Sequence, residues 1–238
     1  YIPEAGRTAK GQNLVNILDL EEGEKITACI SVDAFDEEHY LTMVTRRGVI
    51  KRTPLKEYEY QRKGGKIALN LDEGDELLFV RCTTGDCELM LATRNGQAVR
   101  FHEENARVMG RTARGVRGIS LREGDEVVGV AVIEEGKELL CVTENGFGKR
   151  SPFDDFRLMA HRGGYGVTCY NITEKSGALT GISAVDDNDD LMLITDGGTI
   201  IRTPVAGIPT RSRSAGGVII MKMADGQKIA NFTKVAHA

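Results

Sequence analysis

The sequence predicts an all-β fold: a propeller-like disc of four-stranded blades that recur about every 50 residues. Three observations lead there. One twelve-residue pattern occurs four times, a second motif of different composition keeps the same interval, and helical periodicity is weak along the whole chain.

The first pattern is LTMVTRRGVIKR at 41–52, LMLATRNGQAVR at 89–100, LLCVTENGFGKR at 139–150 and LMLITDGGTIIR at 191–202. Each has an apolar run, a Thr (45, 93, 143, 195), a Gly three residues on and an Arg four after that, so the Thr positions step by 48, 50 and 52 residues. The second motif is a basic, Gly-containing loop: GRTAKG at 6–11, QRKGGK at 61–66, GRTARG at 110–115, HRGGYG at 161–166 and SRSAGG at 212–217. Each precedes an apolar segment and then a turn that closes on Gly23, Gly74, Gly124, Gly177 or Gly226, stepping by 51, 50, 53 and 49 residues. A β-sandwich has no need of identical turns at a fixed interval, whereas radial repetition does.

Within the unit from Gln61, the expected strands are 67–71, 77–82, 89–93 and 98–101, separated by the turn signals DEGDE, TTGD and RNG. In the preceding unit ITACISV alternates, with Ile26, Ala28, Ile30 and Val32 on one side and Thr27, Cys29 and Ser31 on the other. The segments HEENARV and PFDDFRLM between blades have room for a turn of helix. The expected organisation is a single domain over 1–238, with units at approximately 1–55, 56–104, 105–155, 156–206 and 207–238, the first and last partial. Five basic loops against four Thr-Gly-Arg units place at least one further blade's worth of chain upstream of Tyr1, and a chain starting at Tyr without a leader reads as an excised piece.

Composition sets the limits. With 238 residues, 41% hydrophobic and no Trp, the chain can bury a sizeable core. Its longest apolar runs, such as 77–80 and 191–195, fall far short of the roughly 20 residues of a membrane span, so a soluble protein is expected. Cys29, Cys82, Cys87, Cys141 and Cys169 are odd in number and lack CxxC spacing, which points to reduced thiols and a cytoplasmic location.

The basic loops carry the functional signal. Their candidate contacts are Arg7 and Lys10; Arg62, Lys63, Gly64, Gly65 and Lys66; Arg111, Arg114 and Arg117; Arg162, Gly163 and Gly164; and Arg211 and Arg213. Gly lets backbone approach a partner and Arg or Lys supplies charge, a combination suited to phosphate oxygens. Five loops in one register form a ring of positive patches, which fits a curved polyanionic duplex. The net charge of -4 is no obstacle, because the acids concentrate in other turns, at 36–39, 72–76, 133–138 and 186–190. With no recognition helix and the same chemistry in every loop, contacts go to backbone and sequence specificity is low.

Other chemistry finds no constellation. Gly148-Lys149-Arg150-Ser151 is similar to the end of a phosphate-binding P-loop but has Thr143 where the earlier Gly belongs, in a hairpin context. Asp186, Asp187, Asp189 and Asp190 do not match Ca²⁺ loop spacing, and His39, His102, His161 and His237 lack zinc spacing. No catalytic residue, cofactor or metal is expected.

QRKGGKI at 61–67 resembles the QRRGGKG-type box of the DNA gyrase A C-terminal domain, and YIPEAGRTAKG, NLVNIL, MGRTARGVRGI and ENGFGKR are similar to that family along nearly the whole chain. The resemblance implies a β-pinwheel, a propeller-like disc with strand exchange between blades, that binds double-stranded DNA and wraps it in a positive sense. It implies as partners the rest of the gyrase A protein and the gyrase B protein in an A2B2 bacterial type IIA topoisomerase, whose ATP-dependent supercoiling chemistry lies in other domains. Ile67 departs from the box, where the family has Gly, so 61–67 reads as a box-like repeat with the main box upstream. No tyrosine here sits in the family's cleavage motif. Two alternatives are a protein-binding propeller of the WD40 kind, which requires apolar hot spots on its face loops, and the homologous domain of topoisomerase IV, whose boxes are more degenerate.

Overall fold

A computed structural model describes residues 8–10, 20, 23–24, 26–32, 34–60 and 65–236. Its strands are β1 (Tyr40–Thr45), β2 (Val49–Pro54), β3 (Leu77–Thr83), β4 (Glu88–Thr93), β5 (Gln97–His102), β6 (Val116–Arg117), β7 (Val127–Val132) and β8 (Glu138–Thr143). They continue with β9 (Phe147–Pro152), β10 (Leu158–Met159), β11 (Val167–Thr168), β12 (Leu179–Val185), β13 (Asp189–Thr195), β14 (Ile200–Pro204), β15 (Val218–Ile219) and β16 (Ile229–Ala236).

The Thr-Gly-Arg pattern folds into the hairpins β1–β2, β4–β5, β8–β9 and β13–β14, and each of its residues has a physical task. The Thr hydroxyls accept the N–H four residues on, as Thr45 Oγ1 does from Val49 N at 3.2 Å and Thr195 Oγ1 from Thr199 N at 3.1 Å. The glycines take the left-handed turn position, Gly48 at φ 79° and Gly146 at φ 80°, where a side chain would be strained. Three of the arginines turn inward and tie down the link to the next blade, while Arg202 pairs with Asp190 of its own hairpin. Arg52 Nε donates to Ala106 O at 3.1 Å, Arg100 Nη1 to Phe153 O at 2.7 Å and Arg150 Nε to Ile208 O at 2.7 Å. Those links contain the expected helical turns, as 3-10 turns at Glu103–Asn105, Phe153–Asp155 and Val205–Gly207.

Blades are not single repeats. Each hairpin gains an inner strand from the following repeat, and three gain a short outer strand from the repeat after that, giving the orders β3-β1-β2-β6, β7-β4-β5-β10, β12-β8-β9-β15 and β16-β13-β14, with β11 also on β5. This is the strand exchange of a pinwheel. It also explains two departures from expectation: 67–71 and 26–32 form no strand. Their equivalents add to hairpins two repeats and one repeat earlier, and no described residue before β1 forms such a hairpin. Ile26, Ile30, Ile67 and Leu71 are exposed as a result.

The acidic-Gly turns dock on hairpin tips: Arg46 N donates to Glu76 O at 2.9 Å, Arg94 N to Glu126 O at 2.8 Å and Asp196 N to Lys228 O at 2.9 Å. Apolar faces of successive sheets pack into three cores, one around Leu89, Leu91 and Phe101, one around Met90, Leu139 and Phe156, and one around Leu140, Leu191 and Leu193. Each such side chain contributes roughly 1.5–3 kcal/mol on burial. The inner strands β3, β7, β12 and β16 line a central cavity of about 690 Å³. In the first three sheets a short outer strand, with the basic loop beside it, lies at the opposite edge, and that edge is the rim.

Candidate nucleic-acid interface on the rim

The rim is built by laying each of the three fully described basic loops, at 110–115, 161–166 and 212–217, across the second strand of a hairpin two repeats earlier. Strand β6 pairs with Val49–Ile50, β11 with Gln97–Ala98 and β15 with Phe147–Gly148. The last glycine of each loop makes this close approach: a Cβ on Gly115 would sit 2.7 Å from Ile50 O, and one on Gly166 or Gly217 would run into Ala98 O or Gly148 O. These glycines thus serve packing against the hairpin. Gly163 and Gly164 also face protein, since Gly163 N donates to Gly118 O at 2.7 Å and Ser120 N to Gly164 O at 2.9 Å. Gly65, at φ 72°, is open.

The sequence-predicted cations divide into two groups. The arginine at the second loop position clasps the neighbouring loop: Arg111 Nη1 donates to Ile67 O at 3.1 Å, Arg162 Nη1 to Arg117 O at 2.7 Å and Arg213 Nη1 to Thr168 O at 3.0 Å. One contact repeated three times links successive loops into a chain. Lys10, Arg114, Arg117 and Arg211 are exposed. Arg114 lies 3.0 Å from Asp72, so the acidic turn at 72–76 is not wholly segregated from the basic rim. Lys66 Nζ donates to Glu57 O at 3.3 Å. Arg7, Arg62, Lys63 and Gly64 lie outside the described residues.

Sequence reasoning did not single out Lys51 and Lys149. Both side chains are fully buried, both sit on hairpin second strands, and neither has a carboxylate partner among the described residues. Lys51 Nζ donates to Ala68 O at 2.6 Å and to Arg111 O; Lys149 Nζ donates to Ser212 O at 2.7 Å and Arg213 O at 2.6 Å. Burial, with Arg111 nearby, pushes the Lys51 ammonium down to about 8, and burial lowers that of Lys149. The signal was available: the other two aligned repeats place Val99 and Ile201 at this register, so a lysine stands where an apolar side chain also fits. Exposed Arg107 and Arg157, just ahead of two loops, were also passed over because they lie outside the repeated motif.

The remaining candidates are absorbed by structure. Lys149 and Arg150 of the P-loop-like stretch lie within β9. Asp187 pairs with Arg150 at 2.6 Å, and Asp190 with Arg202 at 2.7 Å. Asp86, Cys87 and Glu103 cluster, but the Glu103 carboxylate already accepts from Gly85 N, Cys87 N and the Thr83 hydroxyl at 2.6–3.0 Å. All five cysteines are free thiols. No helix among the described residues is long and apolar enough to cross a membrane.

Comparison with known proteins agrees with this architecture. A family model described as DNA gyrase C-terminal domain, beta-propeller, matches residues 2–33, 39–84, 88–134, 137–186 and 189–236. The DNA gyrase A protein of Clostridium acetobutylicum is 51% identical over 234 residues, covering 98% of this chain and 28% of that protein. Its counterpart in Escherichia coli K12 is 40% identical over 236 residues, covering 99% and 27%. The chain therefore spans little more than a quarter of these relatives' length. Among solved structures, the C-terminal domain of DNA topoisomerase IV superposes with a TM-score of 0.88 at 29% identity, covering 95% of this chain and 71% of that one. A DNA gyrase A C-terminal domain gives 0.85 at 26%, covering 95% and 75%. With a family model matched across every repeat and all four hairpins folded in its order, the chain belongs to the DNA gyrase C-terminal domain family.

Proposed function

We propose that the chain is a non-catalytic module that binds double-stranded DNA along its rim and bends it around the disc. The observation that carries this reading is the repeated placement of basic loops on the outer edge strands, in one register and away from the central cavity. Arg114, Arg117 and Arg211 present exposed guanidinium groups there, Lys10 is exposed within the first loop, and Arg111, Arg162 and Arg213 lock each of their loops to its neighbour. Fixed spacing of the patches favours a curved path, because contacts on successive blades offset the roughly 1–6 kcal/mol needed to bend a short duplex. In this reading residues 1–238 act as one wrapping domain in the cytoplasm, joined to the rest of the gyrase A protein and to the gyrase B protein in an A2B2 enzyme. ATP-dependent cleavage and strand passage belong to those other parts.

The likeness to the topoisomerase IV domain favours a second reading, the equivalent domain of that enzyme, but the gyrase relatives at 40–51% identity weigh against it. The test is the salt dependence of binding to duplexes of unrelated sequence. Log K is expected to fall with log salt at a slope corresponding to about 5–10 phosphates, equally for each sequence. A nearly flat response, or strong preference for one sequence, would count against rim binding through phosphates.

A further inference from the structure

Two of the loops share a detail that the third fully described loop lacks. In the loop at 110–115, Ala113 N donates to Gly110 O at 3.2 Å, and in the loop at 212–217, Ala215 N donates to Ser212 O at 3.1 Å. Both are tight turns with an Arg-Thr or Arg-Ser pair at the centre. In both, a buried lysine two repeats earlier holds the carbonyl of the central arginine, Lys51 on Arg111 O and Lys149 on Arg213 O. In a planar trans peptide the N–H points opposite to the C=O. Drawing those carbonyls inward therefore turns the N–H of Thr112 and of Ser214 outward, and among the described residues neither N–H has an acceptor. Both residues are exposed, so each also offers a hydroxyl on the same side chain-bearing turn.

The loop at 161–166 is the internal contrast. The hairpin beneath it carries Val99 in place of the lysine, and Gly163 at the same loop position has its N–H committed to Gly118 O at 2.7 Å and no hydroxyl. We propose that Thr112 and Ser214 are phosphate-oxygen sites for duplex DNA, each donating an outward backbone N–H and a hydroxyl, with Lys51 and Lys149 as the residues that orient them, and that the loop at 161–166 is not such a site. This rests on the rim-binding reading and refines it: the grip is strong on alternate described loops instead of uniform. An outward amide beside a cationic side chain and above an ammonium without a carboxylate partner is an arrangement that binds phosphate oxygens.

The experiment follows backbone amide resonances of the full 238-residue chain during titration with a short duplex. The Thr112 and Ser214 amide protons move downfield on binding and that of Gly163 stays in place. In the Lys149→Met variant the Ser214 response is lost while that of Thr112 persists, an internal control that a general weakening of the fold does not reproduce. Should Lys149→Met fail to fold, the surface variant Thr112→Val with Ser214→Ala is expected to lower DNA affinity about tenfold, since each lost hydroxyl bond is worth a few-fold. DNA that binds with Thr112 and Ser214 unmoved, or with Gly163 responding equally, overturns the proposal, as does unchanged affinity of the hydroxyl variant. Absence of any DNA binding by the unmodified chain would instead defeat the rim reading itself.

Discussion

At the scale of single residues, the buried lysines set a cost against a use. The ammonium of Lys51 is buried, its hydrogen-bond partners among the described residues are carbonyls, and burial lowers its pKa from 10.5 to about 8, with Arg111 adding to the shift and Glu57 opposing it. Because folding weakens its hold on the proton, the unfolded chain binds more protons between about pH 8 and 10.5, and stability from this group rises with pH across that window. Lys51→Met should flatten that rise in denaturant melts from about pH 7 to 10, stay within about 1 kcal/mol of the parent at pH 7, and still weaken DNA binding. Gly166 illustrates the opposite case, a residue whose absent side chain is the point. With φ 77° and Ala98 O in the path of a Cβ, Gly166→Ala is expected to cost about 2–4 kcal/mol in thermal or denaturant unfolding. The sequence made the loop glycines visible as a ligand-approach signal, but Gly115, Gly166 and Gly217 approach the hairpin two repeats back, and Gly163 and Gly164 face the neighbouring loop. That distinction depends on strand exchange, and spacing along the chain does not carry it.

At the scale of elements, the hairpin was the most legible unit. Thr, Gly and Arg at fixed intervals predict its turn and its bounds, and hydroxyl-to-amide bonds and left-handed glycines account for two of the three residues. The arginine's role was hidden because it acts on the link to the next blade. Arg150 shows the scale of that role: nearly buried, it holds Ile208 O, Asp187 and Glu138 at once. Replacing it with Met removes the donor to Ile208 O and the cation beside Asp187 and Glu138, of which Glu138 keeps the Thr210 hydroxyl at 3.0 Å, and a loss of about 2–3 kcal/mol in unfolding free energy is expected. Hairpin tips are joined by a further device, an alternating run of charges from Glu76 through Arg46, Glu126, Arg94 and Glu144 to Lys228, with steps of 2.7, 3.5, 3.8, 3.1 and 3.0 Å. Glu144→Gln in that run should cost about 1 kcal/mol, shrinking as salt is raised. The strands expected at 67–71 and 26–32 failed for a reason of the same kind: their alternation is real, but a strand needs a neighbour, and theirs would precede β1.

At the scale of the whole molecule, a period of about 50 residues is enough to give blades, since each repeat must bury its apolar face against the next, but not their number: against five expected units the described residues form four sheets, because each sheet draws strands from two or three successive repeats. It does not give which strands share a sheet. Strand exchange places the three fully described basic loops, at 110–115, 161–166 and 212–217, on outer edges, and with it these loops become a rim instead of a set of scattered turns. In the proposed reading charge placement matters more than net charge: a chain at -4 holds a polyanion on one edge while its acids sit mostly at hairpin tips. The most direct test of that central claim is the end-to-end distance, by energy transfer, of a duplex of about 150 bp, close to one persistence length, bound by the full chain and by a variant with Arg114, Arg117 and Arg211 all changed to Ala. The ends should approach on binding the unmodified chain and remain apart with the variant. Ends that stay apart while the unmodified chain is bound, or that approach equally with the variant, would contradict a DNA path set by the basic rim.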